Sequence, residues 1–252
     1  ITYFMNIRNQ SIIIGLYLSK YNQKGLSELG FKSFQQAFNI LGFSLGFKPA
    51  SLKNYRDEFD PLFSNNRKGW HKRPIREYCK KYFDEYNNID FLTFTNLIKS
   101  FFIENFEVER FIEDIEKKDY SESIAKRLLT GKAAEAYFKS EYSKIDIFSS
   151  YQITDTTQMA CGFDYKLTLD SNFFCIEVKG LNDITGTIQL TEKEFSIAKK
   201  MKTNYCLFIV KNFKDKPIHD LVFDPLNSRL NFKEIKREII QTTYSTSIST
   251  FI

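Results

Sequence analysis

The chain has 252 residues, 42% of them hydrophobic, with 26 Phe and 14 Tyr against only 10 Gly and 5 Pro. That content fills a sizeable core, excludes long disordered or low-complexity stretches, and suits one large domain or two small ones. The net charge of +5 belongs entirely to residues 1–110, where 16 Lys/Arg face 11 Asp/Glu, because residues 111–252 carry 20 of each. The two halves are therefore expected to do different work.

In chain order, residues 10–21 and 33–43 space their apolar positions three and four apart and predict helices. Residues 52–59 predict a third, with Ser51 as N-cap after Pro49 and closure at Asp60-Pro61. A polar, basic loop over 65–73 leads to a helix from Pro74 to about Tyr86. Asp90 then caps another helix over 91–102. Several short helices with tight connections, one of them basic, resemble a helix-turn-helix or winged-helix module. The charged stretch 104–119 offers the boundary between residues 1–110 and 111–252; a solvated helix running into the second half is the alternative there.

Beyond it the pattern changes. A long helix over 121–142 precedes strand-like runs at 145–153, 163–169 and 173–178. Thr191 and Glu194 form a capping box that opens a helix to about Met201. Residues 205–210 are continuously apolar, as for a strand buried on both faces. A strand near 221–223, a helix near 232–240 and a frayed Ser/Thr-rich end over 242–250 complete the expectation.

Cys79, Cys161, Cys175 and Cys206 show no CxxC spacing and read as reduced core thiols of an intracellular protein. His71 and His219 stand at no ligand spacing from them, which disfavours zinc. The apolar run 12–18 is too short to cross a bilayer and no signal cleavage site follows it. A soluble, cytoplasmic protein with no membrane partner is expected.

Two charges interrupt the apolar strand Phe174-Cys175-Ile176-Glu177-Val178-Lys179-Gly180. Glu177 and Lys179 leave the same face of that strand, since side chains alternate. Asp164 begins the preceding strand, and antiparallel neighbours lie about 4.8 Å apart, which suits two carboxylates converging on one cation. Phosphodiester hydrolysis needs such a cation, commonly Mg²⁺ on one or two carboxylates with waters and phosphate oxygens, plus a positioned water. Lys179 would orient or deprotonate that water or stabilise the phosphorane, and the Val178 carbonyl is an additional metal ligand. A structural salt bridge on a hairpin is the ordinary alternative.

Asp164, Glu177 and Lys179, set in the order helix, three strands, helix, strand, resemble the motif of the PD-(D/E)XK nuclease superfamily. The wording around Gly162-Phe163-Asp164, Ile176-Glu177-Val178-Lys179-Gly180 and Leu190-Thr191-Glu192-Lys193-Glu194 is similar to Mrr-type and related restriction-enzyme domains, over about residues 121–210. Phe163 stands where the family's eponymous proline would be. The resemblance implies an α/β restriction-endonuclease-like core, a mixed sheet flanked by helices, behind an all-α helix-turn-helix or winged-helix-like domain. It implies an Mg²⁺-dependent endonuclease on double-stranded DNA, most simply a type II restriction enzyme, with a homodimer on DNA and a cognate DNA methyltransferase as companions. It also brings Glu135, on the first core helix among small residues, and Gln189 into the catalytic set. The ordinary alternatives are a helix Glu paired with Lys132 or Lys139, and a strand glutamine. A modification-dependent nuclease and a catalytically idle, DNA-binding nuclease fold are the competing functions.

The basic segment 67–81 holds seven Lys/Arg against one Glu, with the only Trp of the chain in its midst. Phosphate contacts supply most non-specific DNA affinity, and Arg67, Lys68, Lys72 and Arg73, with Trp70, are candidates for it. On the preceding helix Ser51, Lys53, Asn54 and Arg56 are residue types that read base edges, Asn54 adenine and Arg56 guanine. A solvated helix face, with Arg56 tied to Asp57 or Asp60 and Trp70 as a core anchor, is the alternative. This segment is also similar to amino-terminal regions of some bacterial restriction enzymes.

Overall fold

Five α-helices and a five-stranded mixed sheet with two further helices make up a computed structural model, which describes residues 6–102 and 121–236. The first helices are α1 (Ile7–Glu28), α2 (Phe34–Ser44), α3 (Pro49–Phe59), α4 (Glu77–Tyr86) and α5 (Phe91–Ser100). Helix α1 outlasts the predicted stretch but breaks at Asn22, whose φ of 48° and ψ of −129° lie outside the helical region. Ile12, Ile13, Ile14, Leu16, Tyr17 and Leu18 are all buried, so α1 is wrapped by its neighbours rather than laid on them. Asp90 caps α5 through its side chain, as predicted, and Ser33, read as the first residue of a helix, is instead the side-chain N-cap of α2.

Two predicted starts move. Helix α3 begins at Pro49, with Lys48 as N-cap and Ser51 already inside it; proline's fixed φ suits the first helical position. Pro74 lies outside α4, because the Arg76 N–H donates to Glu58 Oε1 at 2.8 Å and Arg76 is held extended. No strand occurs among described residues 6–102, so a winged-helix arrangement has no wing there.

The second half supplies α6 (Ser121–Glu141), β1 (Gln152–Asp155), β2 (Tyr165–Leu169), β3 (Asn172–Gly180), α7 (Glu192–Met201), β4 (Tyr205–Lys211) and β5 (Ile218–Phe223). Spatial order follows chain order; β3 and β4 are parallel and the other neighbours antiparallel. The parallel pair requires a crossover, which α7 provides. The run 145–153 is mostly not a strand. Consecutive turns, Phe148 N–H to Ile145 O and Tyr151 N–H to Phe148 O, bury Phe148 before β1 begins. Residues 231–236 are irregular where a helix was predicted. The remainder of that segment, the Ser/Thr-rich end and the boundary at 104–119 lie outside the described residues.

One apolar cluster runs through both halves, from Ile12 and Phe38 to Phe138, Ile176 and Phe208. Helix α2 makes the seam: Phe43 packs edge-on to Tyr137 and Phe213. Asn39 Nδ2 donates to the carbonyls of Phe213 and Asp215 at 2.8 and 2.6 Å, and Gln36 Nε2 to Asn182 Oδ1 at 2.5 Å. All four cysteines are free. No helix among the described residues is long and apolar enough to cross a membrane.

Helix α6 sits directly on the end of β3, where a β-carbon at Gly180 would lie 2.7 Å from Thr130 O and 3.1 Å from Ala134 Cβ. Gly180→Ala is therefore expected to lose about 1–3 kcal/mol by overpacking, read as a lower urea midpoint at an unchanged slope.

Candidate active site

Strand β3 has two different faces. Phe174, Ile176 and Val178 enter the main core under α6, while Cys175 packs with Tyr205 and Ala198 beneath α7. Glu177 and Lys179 continue the second face beyond that small apolar patch. Glu177 is 3% exposed.

Asp164 precedes β2 by one residue. Its N–H donates to Ile176 O at 2.9 Å, and its carbonyl accepts from the Thr156 N–H at 2.9 Å. Its Oδ2 accepts from the Val178 N–H at 2.8 Å. Val178 lies between Glu177 and Lys179, so this bond pins the Asp164 carboxylate to the stretch of β3 that carries the other two charges. The structure thus brings together Asp164, Glu177 and Lys179.

Lys179 Nζ lies 2.5 Å from Glu177 Oε1 and 2.9 Å from Glu194 Oε2. Glu194 is the residue that sequence reasoning missed. It closes the capping box of α7, with Thr191 Oγ1 accepting from its N–H and its own Oε2 accepting from the Thr191 N–H at 2.9 Å. One carboxylate oxygen therefore receives both the first turn of α7 and the Lys179 ammonium. The capping box was visible in the sequence; its meeting with Lys179 depends on the crossover.

Burial drives the Asp164 carboxyl above the usual range, against the Val178 N–H and Lys179, which favour its charged form. Burial and the Asp164 charge push Glu177 up as well, with Lys179 opposing them. Lys179 is itself raised, since Glu177 and Glu194 outweigh its own burial. Glu135, half-buried beside the sheet-facing Ala133 and Ala134, is pushed up to about 7 by burial and then by Asp164 and Asp155. Of its two candidate helix partners, Lys139 is paired with Asp155 at 2.6 Å, and both Lys139 and Lys132 favour the charged form of Glu135. Gln189 is exposed in an irregular segment and belongs to no strand.

Among the described residues no group of three or more His, Cys, Asp or Glu side chains is arranged to hold a metal ion by itself. Mg²⁺ needs only one or two carboxylates, because water and phosphate complete its shell. Asp164 and Glu177 are hard oxygen donors, both raised by burial, and the Asp164 charge raises Glu177 further, a charge burden that a divalent cation relieves. The donor chemistry fits the ion.

The amino-terminal candidates divide. Arg56 is buried against Asp57 at 2.6 Å and Asp60 at 3.4 Å, which corrects its assignment to a guanine edge. Arg67 grips both oxygens of Asp60 at 2.7 and 2.8 Å and donates to Asn22 Oδ1; Arg73 pairs with Glu58. These arginines are structural ties rather than outward phosphate contacts. Ser51 is half-buried in α3, whereas Lys53, Asn54, Lys68, Trp70 and Lys72 are exposed, so Trp70 is no core anchor. Asp60→Ala would leave Arg56 and Arg67 without their shared buried partner, and is expected to cost about 3–5 kcal/mol in equilibrium unfolding.

The region that holds this arrangement also matches a known family. Residues 132–223, from within α6 to the end of β5, match the family model described as Protein NO VEIN, C-terminal. No curated protein and no solved structure matches the chain.

Proposed function

We propose that this protein is an Mg²⁺-dependent DNA endonuclease, most simply a restriction endonuclease hydrolysing duplex DNA at a specific sequence, with residues 111–252 as a PD-(D/E)XK core. The observation that carries the reading is the meeting of Asp164, Glu177 and Lys179 at one end of β3, with Glu177 buried, Asp164 partly buried and the ammonium between Glu177 and Glu194. Hydrolysis of a phosphodiester is a use for such a cluster; an ordinary strand has none. The sheet order, with a parallel β3–α7–β4 unit between antiparallel neighbours, supports the same reading.

Asp164, Glu177 and the Val178 carbonyl would hold the cation, which when bound neutralises phosphate charge and acidifies water. Lys179 has three N–H donors. Glu177 and Glu194 take two, leaving the third for a phosphate oxygen or the attacking water. Its raised pKa keeps it protonated, so it serves as a donor rather than as a base. Glu194 positions it. Glu135, with a pKa of about 7, is suited to exchange a proton with water at neutral pH. The exposed Lys53, Asn54, Lys68 and Lys72 would bring the DNA backbone to the molecule, since the half that holds the site has no net charge.

Purified protein incubated with methylated and unmethylated plasmid in Mg²⁺, followed by sequencing of the ends, tests the proposal. Discrete double-strand ends at one sequence are expected. Cutting of methylated plasmid alone would move the reading to a modification-dependent nuclease. Tight DNA binding without cutting in Mg²⁺ or Mn²⁺ would leave a nuclease fold used only for binding.

A further inference from the structure

Two buried carboxylates bolt down the basic loop on either side of an exposed indole. Asp60, its side chain fully buried, holds Arg67, and the buried Glu58 holds Arg73 and the Arg76 N–H. Between the bolts, the Trp70 N–H donates to Asp57 O at 2.9 Å. Gly69 adopts a φ of +49°, and a β-carbon there would lie 2.2 Å from the same oxygen, so only glycine lets the loop approach so closely. The Arg73 guanidinium lies 5.4 Å from the Trp70 ring centroid. Trp70 nevertheless remains 44% exposed, flanked by exposed Lys68, His71 and Lys72. No Asp or Glu occurs from residue 61 to residue 76.

Beyond the Arg73 contact the ring joins neither apolar core cluster, and it stands among exposed cations on a loop tied at both ends. We propose that Trp70 is a stacking platform for an unpaired nucleobase, so that this loop binds single-stranded or locally opened DNA in preference to intact duplex. The inference rests on the reading of the amino-terminal half as a DNA-binding surface. Every base offers a π-face, while in a closed duplex those faces are covered by neighbouring bases; an indole reaches one only where the stack is broken. Lys68 and Lys72 supply the phosphate attraction that follows the strand. Because the loop is already fixed by its two bolts, little ordering accompanies binding.

Trp70 is the only tryptophan in the chain, so its fluorescence reports on this residue alone. The full chain, in EDTA to prevent cleavage, is titrated with oligothymidylate and with a duplex of equal length. Indole emission is followed beside the anisotropy of an end-labelled strand. Saturating single strand is expected to quench most of the emission, and duplex to quench it little. Trp70→Ala should weaken single-strand binding roughly tenfold or more and duplex binding less than about twofold, while Trp70→Phe recovers most of the loss. An unchanged thermal melt of Trp70→Ala separates this from unfolding. Binding by anisotropy with unaltered emission, equal affinity of the alanine variant, or preference for duplex would overturn the platform while leaving the DNA-binding surface intact. Absence of binding to either form would overturn both.

Discussion

Lys179→Ala is expected to abolish cleavage, lowering the rate at least about 10²–10³-fold as for loss of one transition-state donor, with duplex affinity changed less than about twofold. The ammonium lies 2.5 Å from the buried Glu177 of β3 and 2.9 Å from Glu194 of α7. Its removal leaves negative charge without its counterion, which would cost roughly 3–5 kcal/mol if both groups stayed ionised. Glu177 escapes part of that cost by keeping a proton, since its carboxyl is already raised by burial and by Asp164. The pH dependence follows. Above the unfolded carboxyl value of about 4.3 and below the raised folded value, the native protein holds a proton that the unfolded chain has released. Stability therefore falls as pH rises through that window, by at most about 1.4 kcal/mol per pH unit. Loss of Lys179 removes a group that favours the charged form, so the window should reach to higher pH and the total fall should be larger in the variant. Urea unfolding at several pH values measures this, and a flat profile for Lys179→Ala would contradict the buried-charge account. Undiminished Mg²⁺-dependent cutting by it would refute the assignment of Lys179.

Mg²⁺ or Mn²⁺ is expected to raise the melting temperature of the wild-type chain, and Asp164→Asn to remove the effect. A cation that binds only the folded state adds about 2.7 kcal/mol at one hundred times its Kd, or roughly 5–10 °C for a chain of this size. Asparagine retains an oxygen to accept from the Val178 N–H, so the variant loses charge without losing the bond that seats residue 164. Protons and cation compete for carboxylates whose pKa values are raised by burial, so the stabilisation should be larger at pH 8 than at pH 5.5 or so. A calorimetric scan with and without the ion provides both comparisons. Equal shifts in wild type and Asp164→Asn would place the cation elsewhere.

The site was legible where local pattern and chemistry coincide. Glu177 and Lys179 stand two apart in an apolar strand, and that alternation alone sets them on one face. Strand β4 was legible from its unbroken apolar run, and the start of α7 from Thr191 and Glu194. Other features needed a partner that the sequence does not point to. Glu194 reaches Lys179 only because the parallel β3–β4 pair forces α7 back across the sheet. Arg67 and Arg73 read as outward charge because their counterions Asp60 and Glu58 reach them only in the fold, whereas the tie of Arg56 to Asp57 or Asp60 was legible as the alternative to a base contact. The stretch before β1 read as a strand because its aromatic and branched residues suit one, but successive turns bury Phe148 instead. Glu135 is intermediate: its small neighbours announced a close helix, and only the folded arrangement sets it within the field of Asp164 and Asp155.

The seam made by α2 has a geometric consequence for whatever the two halves do together. Gln36 grips the chain just after β3, at Asn182 close in sequence to Lys179, Asn39 grips it just after β4, and Phe43 fills the corner against α6. The helical unit is thus tied to the sheet at this junction by side-chain hydrogen bonds and aromatic packing, and can act as a ruler. On the endonuclease reading, the distance from the recognised base pairs to the severed bond is set by this joint rather than by the DNA, so every cut should fall at one offset. Loosening the joint at Asn39 should blur that offset before it slows the chemistry.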